Sequence, residues 1–376
     1  MNSYRKEGII VYCFKKTVAI ICLACFLSGT VLFATSLQVS ACSRVLSADN
    51  GQAVLVGRNM DWPSNPGVVL WAMPRGIERE GLPDKNPLVW TAKYGSIVTA
   101  SYENGNGCVT DGMNEKGLVA NMLWLSESNY GERDESLPGM SVAMWAQYML
   151  DNCATVGEAV DVMKTAQFQV VKQIIPRTGP TGTIMQPASL HLSLADKSGD
   201  SAIIEYIDGK PVIYHDRNYT IMTNSPTFEK QQGNLTQYQG FGGDKPLPGT
   251  GDAADRFVRA AYYMKYLPKP QTPREAIAGI FSVTRNASQP FRVSTDPHNP
   301  FTSSTIWRTV SDLTNGYYYF ESTLSPSIIW ANFSEFPLQE GSPAMKLDLS
   351  KNPDFSGNVS KKFVQGNPAE LKVPKY

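Results

Sequence analysis

The sequence predicts an α+β protein in which two mainly antiparallel sheets are stacked between layers of helices. Segments with strand character come in groups separated by two pairs of helices, without the regular alternation of a doubly wound parallel sheet. Asn-Gly or Asp-Gly pairs, which favour tight β-hairpins, occur at residues 50–51, 208–209 and 315–316. No repeat or low-complexity linker divides the chain. We therefore predict a single domain over residues 42–376.

The first half of this domain contains strands followed by two helices. The capping box that begins at Thr155, with Glu158 three residues later, predicts the start of the second helix. Val142, Trp145 and Met149 have helical spacing in the first. The predicted strands are residues 43–46, 53–58, 68–73, 96–101 and 117–125, and the predicted helices are residues 141–150 and 155–166.

The second half repeats this order. Thr272 and Pro273 predict a helix N-terminus, because Pro is favoured at the first helical position. From about residue 338 the chain is polar and Pro-rich and predicts a wrapping tail. The predicted strands are residues 169–175, 190–195, 202–207, 211–215, 219–223, 304–312, 316–321 and 328–332, and one further helix covers residues 252–266.

The composition is that of a globular protein. Apolar residues make up 42% of the 376 residues and charged residues 18%, which is enough to build a large core. The 34 basic side chains equal the 34 acidic ones, so overall charge gives no reason to expect binding to nucleic acid or an anionic membrane.

The first 41 residues have the features of a signal peptide. Arg5, Lys6, Lys15 and Lys16 form a basic region, residues 17–34 are apolar, and small residues end the segment at Ala41. We expect cleavage between Ala41 and Cys42 and export to the periplasm or the medium. Two alternatives remain open. The apolar run is long enough for an uncleaved anchor, and residues 39–42 also fit a lipobox, in which the cysteine is lipidated.

Cleavage there would leave Cys42 with both a thiol and a free α-amine. Their ordinary pKa values, near 8.5 and 8, leave each group partly in its reactive form at neutral pH. The amine can then accept the thiol proton, so the residue supplies its own base. The competing interpretation is a buried or lipidated cysteine.

Four further polar residues are candidates for the same site. Arg58 and Asp61 follow Cys42 at a distance that suits a returning hairpin, where a guanidinium would favour thiolate. Asn224 ends a strand-rich region before a proline and could donate to an oxyanion, although an Asx turn is the alternative. Arg256 lies near a predicted helix start, where a solvated side chain is the alternative.

The remaining cysteines and histidines suggest no metal site. Cys108 and Cys153 either form a disulfide or are both free, and no Cys/His cluster has zinc-ligand spacing beyond residue 41. His191, His215 and His298 lie in no catalytic motif. We expect neither a metal nor another cofactor.

Six motifs, in order, resemble the choloylglycine hydrolase family, which contains conjugated bile acid hydrolases and penicillin V acylases. They span nearly the whole region beyond residue 41. They are CSR at 42–44, GRNMDW at 57–62, DGMNEKGL at 111–118, TNSPTF at 223–228, DRFVR at 255–259 and WRTVSDL at 307–313.

The resemblance implies an N-terminal-nucleophile hydrolase with an αββα sandwich. It makes Cys42 the nucleophile, Arg58 a partner of the thiol and Asp61 the group that orients the α-amine. It also makes Asn224 an oxyanion-hole donor and Arg256 a polar member of the site. The implied reaction hydrolyses a linear amide through a thioester, without a cofactor.

The resemblance is closest to the penicillin V acylase-like branch of Gram-negative bacteria, on the stretches at residues 121–128 and 138–148. It implies a small-molecule amide with an apolar acyl group, which Met60, Trp62, Leu123 and Trp124 would contact. The chain has Leu123 where many members have Asn or Tyr, which leaves the second oxyanion donor open. Penicillin V, acyl-homoserine lactones and conjugated bile acids are the candidate substrates. A lipidated binding protein is the non-enzymatic alternative, and the family resemblance implies a homo-oligomer, often a tetramer.

Overall fold

A computed structural model of the protein describes residues 42–103, 106–179, 182–291 and 302–371. These residues belong to one compact unit, whereas the predicted export segment lies outside them. The described residues form five α-helices: α1 (Trp145–Asn152), α2 (Val156–Lys164), α3 (Phe228–Leu235), α4 (Ala253–Tyr266) and α5 (Pro273–Asn286). None of these helices is long and apolar enough to cross a membrane.

The strands of the described residues cover most of the chain between the helices. In the first half they are β1 (Cys42–Ser47), β2 (Leu55–Trp62), β3 (Gly67–Met73), β4 (Glu78–Glu80), β5 (Val89–Thr91), β6 (Ser96–Glu103), β7 (Asn106–Asn114), β8 (Val119–Trp124), β9 (Gly139–Ser141), β10 (Gln169–Val171) and β11 (Ile174–Gly179). In the second half they are β12 (Gly182–Pro187), β13 (Leu190–Ala195), β14 (Ser201–Ile207), β15 (Lys210–His215), β16 (Ile221–Met222), β17 (Ser304–Asp312), β18 (Tyr317–Ser322), β19 (Ile328–Asn332), β20 (Met345–Asp348), β21 (Gly357–Asn358) and β22 (Val364–Gln365).

Two large sheets dominate the fold. One has seven strands in the order β16-β1-β2-β17-β18-β19-β21, and the other has nine in the order β15-β14-β13-β8-β7-β6-β3-β20-β22. Every neighbouring pair in the nine-stranded sheet is antiparallel, and β19–β21 is the parallel pair of the seven-stranded sheet. The predicted α+β arrangement of two mainly antiparallel sheets is therefore confirmed.

The helices cover the outer faces of the two sheets. Helices α4 and α5 pack on β1, β2 and β17, whereas α1 and α2 pack on β7, β8, β14 and β15. Every residue of β1 and β2 is buried as a result. Side chains of alternate residues point to opposite faces of a strand. In the seven-stranded sheet, one face therefore meets the other sheet and the other face meets α4 and α5.

Local sequence signals mark two helix N-termini and one hairpin turn at the predicted positions. The Thr155 side chain accepts a hydrogen bond from the Glu158 nitrogen at the start of α2, and Thr272 does the same for Glu275 at α5. At the β14–β15 hairpin, Asp208 and Gly209 have φ of 50° and 78°. Both central residues of a type I′ turn need positive φ, which explains the Asp-Gly pair.

Several elements differ from the sequence prediction. Strands β7 and β12 and helix α3 are additional, because their sequences have neither clear alternation nor a complete apolar stripe. Residues 141–150 begin with a 3₁₀ turn, Val142–Met144, before α1. The polar segment beyond residue 338 contributes β20 and β22 to the edge of the nine-stranded sheet, where backbone pairing needs no apolar side chain.

Candidate active site

Cys42 is the first residue of β1, at the edge of a cavity between the two sheets. It pairs with Met60 on β2 and is only 4% exposed. Its Sγ lies 3.9 Å from the main-chain oxygen of Asp61. The antiparallel pairing of β1 with β2 brings the cysteine beside the GRNMDW motif, as the hairpin prediction required.

Side chains of alternate β2 residues enter the same cavity as Cys42. Arg58, Met60 and Trp62 all line it, together with Trp124 from β8. Since these side chains share the face that meets the nine-stranded sheet, the two-residue spacing of the motif accounts for their placement. The further lining residues are Ser101, Glu103, Gly107, Cys108, Thr110, Met122, Ala143, Ile175, Pro176 and Leu190.

The main-chain nitrogen of Cys42 lies against a second group of polar residues. It donates a hydrogen bond to Asn224 Oδ1, and the Arg256 guanidinium donates to the same oxygen at 2.9 Å. Arg256 also donates to the Cys42 carbonyl at 2.6 Å and to Ser43 Oγ at 2.7 Å. These bonds hold both the nitrogen and the carbonyl of Cys42 in fixed positions.

Asn224 uses its amide in two directions. Its Oδ1 accepts the two bonds just described, and its Nδ2 donates to the Trp124 carbonyl at 2.7 Å. Two donors on one atom and an acceptor opposite the other define which end of the amide is oxygen. Within the described part of the chain, the Trp124 carbonyl is the one acceptor of Nδ2, so its second hydrogen can serve another acceptor.

Asp61 lies on the opposite side of β2 from the cavity residues. Its Oδ1 accepts a hydrogen bond from Thr305 Oγ1 at 2.5 Å, and its Oδ2 is 4.0 Å from Arg256 Nη1. Oδ2 has no hydrogen-bond partner among the described residues. Burial raises the pKa of Asp61 to about 6, although the Arg256 guanidinium opposes that shift.

Arg58 connects the cavity to the nine-stranded sheet. Its Nη1 is 2.7 Å from Asp111 Oδ2 on β7, and its Nη2 donates to the Met122 carbonyl at 3.0 Å. Burial raises the pKa of the Cys42 thiol, and the positive charge of Arg58 acts against this. Arg58 therefore places a positive charge near the Cys42 sulfur, which would carry the negative charge of a thiolate.

Two tryptophans form an apolar wall of the cavity. The ring centroids of Trp62 and Trp124 are 6.0 Å apart, and the Arg177 guanidinium carbon lies 5.3 Å and 5.9 Å from them. Trp62 Nε1 donates to Glu103 at 3.1 Å. Burial lowers the pKa of Arg177 to about 10, so this side chain stays cationic at neutral pH.

The structure brings together most of the residues selected from the sequence. Cys42, Arg58, Met60, Trp62 and Trp124 line the cavity, whereas Asn224 and Arg256 bind the main chain of Cys42 and Asp61 lies 4.0 Å from Arg256. Leu123 is buried in the core but is not among the lining residues.

Sequence reasoning missed Asp111, Arg177 and Thr305, and also Tyr318, whose hydroxyl donates to Asp111 Oδ1. Asp111 belongs to a recognised motif, so its motif membership was a usable signal. The other three have no local signal, because strands distant in the chain bring them to the site.

Cys42, Cys108 and Cys153 are free thiols in this structure. Among the described residues, no group of three or more His, Cys, Asp or Glu side chains could hold a metal ion.

A family model described as linear amide C–N hydrolases, choloylglycine hydrolase family, matches residues 42–346. The match begins at Cys42 and covers most of the chain. This chain belongs to the choloylglycine hydrolase family. It is a hydrolase of linear amide C–N bonds with the N-terminal-nucleophile hydrolase fold, as the resemblance implied.

Relatives within the choloylglycine hydrolase family include penicillin V acylases and bile salt hydrolases. Penicillin V acylase of Pectobacterium atrosepticum is 42% identical over 369 residues, covering 92% of this chain and 96% of that protein. The structure of penicillin V acylase from Agrobacterium tumefaciens matches with a TM-score of 0.78 and 44% identity, covering 89% of this chain and 100% of that one. Bile salt hydrolase/transferase of Clostridium perfringens is 26% identical over 295 residues, 71% of this chain and 85% of that protein.

Proposed function

We propose that this protein is an exported amidase whose mature form begins at Cys42 and uses that residue as its nucleophile. The observation that carries the proposal is that the side chain and the main chain of Cys42 have different surroundings. Its side chain lines a cavity with apolar walls. Its nitrogen donates to Asn224 Oδ1, which also accepts from Arg256, and the Arg256 guanidinium lies 4.0 Å from Asp61 Oδ2. A nucleophile and its own base would thus be aligned on one residue.

The proposed reaction has two stages. The Cys42 sulfur attacks the amide carbonyl, and its proton passes through the α-amine to the departing amine. A thioester forms as the C–N bond breaks. Water then attacks the thioester carbonyl, which releases the carboxylic acid and restores the thiol. The second Nδ2 hydrogen of Asn224 is available to stabilise the oxyanion in both stages.

Asp61 suits the role of orienting the α-amine once the chain is cut. In the full-length chain the Cys42 nitrogen carries one hydrogen, which it donates to Asn224. A free amine has more hydrogens and needs further acceptors, and the nearby Asp61 has an oxygen without a hydrogen-bond partner among the described residues. Removal of residues 1–41 would therefore be a step in activation.

The substrate we propose is a small amide with an apolar, preferably aromatic, acyl group, and penicillin V is the first candidate. Trp62 and Trp124 give the cavity an aromatic wall, and the penicillin V acylases described above are 42% and 44% identical to this chain. Acyl-homoserine lactones also carry apolar acyl groups and are the next candidate.

Mass spectrometry of the exported protein tests the first half of the proposal. We expect the mature chain to begin with unmodified Cys42, and a diacylated Cys42 or an intact export segment would contradict it. A variant with a retained methionine before Cys42 blocks the amine without changing any other residue. We expect that variant to fold and to lose nearly all activity.

Parallel rate measurements test the substrate. We expect kcat/KM to be highest for penicillin V, lower for acyl-homoserine lactones and lowest for glycocholate. A preference for glycocholate would instead assign the protein to the activity of its bile salt hydrolase relatives. Equal turnover by the methionine-blocked form would contradict the role of the α-amine.

A further inference from the structure

The Asp111 carboxylate forms an ion pair with the guanidinium of Arg58, which lines the cavity. Their closest atoms are 2.7 Å apart, and the two side chains are 1% and 0% exposed. Arg58 belongs to the seven-stranded sheet and Asp111 to the nine-stranded sheet, so the ion pair links the two sheets beside the cavity. Asp111 itself does not line the cavity.

Both groups of the pair have further hydrogen bonds. The Tyr318 hydroxyl donates to Asp111 Oδ1, the oxygen that Arg58 does not use, and Thr99 Oγ1 lies 2.8 Å from that hydroxyl. On the other side, Arg58 Nη2 donates to the Met122 carbonyl at 3.0 Å. Neither the carboxylate nor the guanidinium can rotate without breaking one of these bonds, so the guanidinium has a fixed position.

The pair also has an electrostatic consequence at Cys42. A lone buried guanidinium would strongly favour a thiolate, whereas a guanidinium next to a carboxylate presents a much weaker field. The other charged or titratable groups that face Cys42 or line its cavity are Asp61 on β2, Arg256 on α4, Glu103 on β6 and Cys108 on β7. Two further groups contact residues of this set: the Tyr318 hydroxyl on β18 donates to Asp111, and the Arg177 guanidinium on β11 lies over the Trp62 ring of the cavity wall.

We propose that Asp111 is a positioning residue for amide hydrolysis, which fixes the Arg58 guanidinium beside the Cys42 thiol and weakens its charge there. The proposal rests on Cys42 being the nucleophile. Thiolates become weaker nucleophiles as their pKa falls. A guanidinium without a counter-charge would therefore leave Cys42 ionised but less reactive, and Asp111 keeps the thiol available for transfer of its proton to the α-amine.

The test measures how the alkylation rate of Cys42 by iodoacetamide depends on pH in the mature protein. Peptide mass spectrometry separates Cys42 from Cys108 and Cys153. Asp111→Asn removes the charge but keeps the shape, so we expect the midpoint of alkylation to fall by about 1 pH unit.

Asp151 supplies a matched control. It is a buried aspartate 2.7 Å from Arg79 that also accepts a hydrogen bond from Trp90, and it does not line the cavity. We expect Asp151→Asn to change stability and to leave the alkylation midpoint of Cys42 unchanged. A midpoint in Asp111→Asn equal to that in Asp151→Asn, or higher than in the wild type, would overturn the proposal.

Tyr318→Phe provides a second test if Asp111→Asn does not fold. It retains the ion pair but removes the hydroxyl that disperses the charge of Asp111, so we expect a small rise in the alkylation midpoint. No change, or a fall, would contradict the proposal. The wild-type experiment separates this question from the nucleophile itself, because alkylation of Cys42 that leaves amidase activity intact would disprove the proposed function before any variant is compared.

Discussion

The main-chain nitrogen of Cys42 donates a hydrogen bond to the side-chain oxygen of Asn224, which lies 182 residues later in the chain. The sequence led us to expect Asn224 as an oxyanion donor. The structure adds that its oxygen accepts hydrogen bonds from Cys42 and Arg256. One amide thus binds the nitrogen of the proposed nucleophile through its oxygen and the Trp124 carbonyl through its nitrogen.

The first prediction concerns this amide. Asn224→Asp keeps the oxygen that accepts from Cys42 but removes both N–H donors. We expect normal maturation and a fall in kcat of roughly 10²-fold, because loss of an oxyanion donor typically has that effect. The measurements are intact mass for maturation and steady-state kinetics for kcat and KM.

Asn59→Asp is the control for that substitution. Asn59 is a buried asparagine on β2, and its amide donates to the Thr284 carbonyl of α5 at 2.7 Å. We expect lower stability with kcat unchanged for the folded fraction. If kcat falls equally in both variants, the effect at Asn224 does not come from an oxyanion.

The second prediction concerns the pH dependence of activity. Because burial raises the pKa of Asp61 to about 6, this carboxyl is neutral below that pH and ionised above it. An Asp61 that must be ionised to orient the amine makes kcat/KM fall as the pH drops through about 6. We expect this acid limb in the wild type and its loss, at low overall activity, in Asp61→Asn.

Thr305→Val tests the sign of this assignment. Thr305 Oγ1 donates to Asp61 Oδ1, which favours the ionised carboxylate and lowers its pKa. Loss of this bond should therefore raise the pKa of Asp61 and move the acid limb of kcat/KM to higher pH. A limb that stays in place or moves to lower pH would show that another group controls it.

The third prediction concerns Arg177, whose guanidinium lies over the rings of Trp62 and Trp124. Arg177→Met keeps an unbranched side chain but removes the cation. A cation–π contact contributes about 0.5–2 kcal/mol, so we expect KM for penicillin V to rise by roughly 2- to 30-fold with kcat little changed. Steady-state kinetics on penicillin V checks this.

Arg285→Met is the corresponding control. Arg285 lies over the Phe281 ring at 5.5 Å and pairs with Glu321, and it does not line the cavity. We expect its KM to equal that of the wild type. A kcat loss in Arg177→Met without a change in KM would mean that Arg177 acts on the chemistry and does not stabilise the aromatic wall.

The fourth prediction concerns Gly57, where α5 approaches β2 closely. A Cβ at this position would lie 2.5 Å from Ile280 Cγ2 and 2.7 Å from Thr284 Cγ2. Gly57→Ala should therefore lower the free energy of unfolding by about 1–3 kcal/mol through overpacking. Gly249→Ala, where nothing lies within 4 Å of the added carbon, should leave stability nearly unchanged in the same denaturant titration.

Local patterns predicted much of the fold. The β14–β15 hairpin and the start of α5 follow from an Asp-Gly pair and from Thr272 with Pro273, which act within a few residues. Strand β12 was not predicted, because four of its first five residues are exposed and carry no alternation. The pairing of β20 with β3 also has no local signal, because the two strands are distant in the chain and pair through backbone groups that residues of any type carry.

The candidate site was likewise predicted only in part. Arg58, Met60 and Trp62 were chosen through the family resemblance, and the predicted strand ended at residue 58. In the structure β2 continues to Trp62, and the two-residue spacing directs all three side chains into one cavity. Leu123, in contrast, was selected by its position in a motif, and the strand directs it into the core. Expected roles in catalysis, export, substrate choice and oligomer formation remain predictions.

The sequence by itself determined the chemistry that this protein has available: a cysteine at a predicted cleavage junction and the polar residues of six ordered motifs. Only the tertiary structure decided how those groups are paired, with Asp111 against Arg58, Thr305 against Asp61, and Asn224 against the nitrogen of Cys42. The physical reason is distance along the chain. These partners are 53, 244 and 182 residues apart. Strand pairing within the seven-stranded sheet and its stacking on the nine-stranded sheet bring them together without leaving a signal in neighbouring residues.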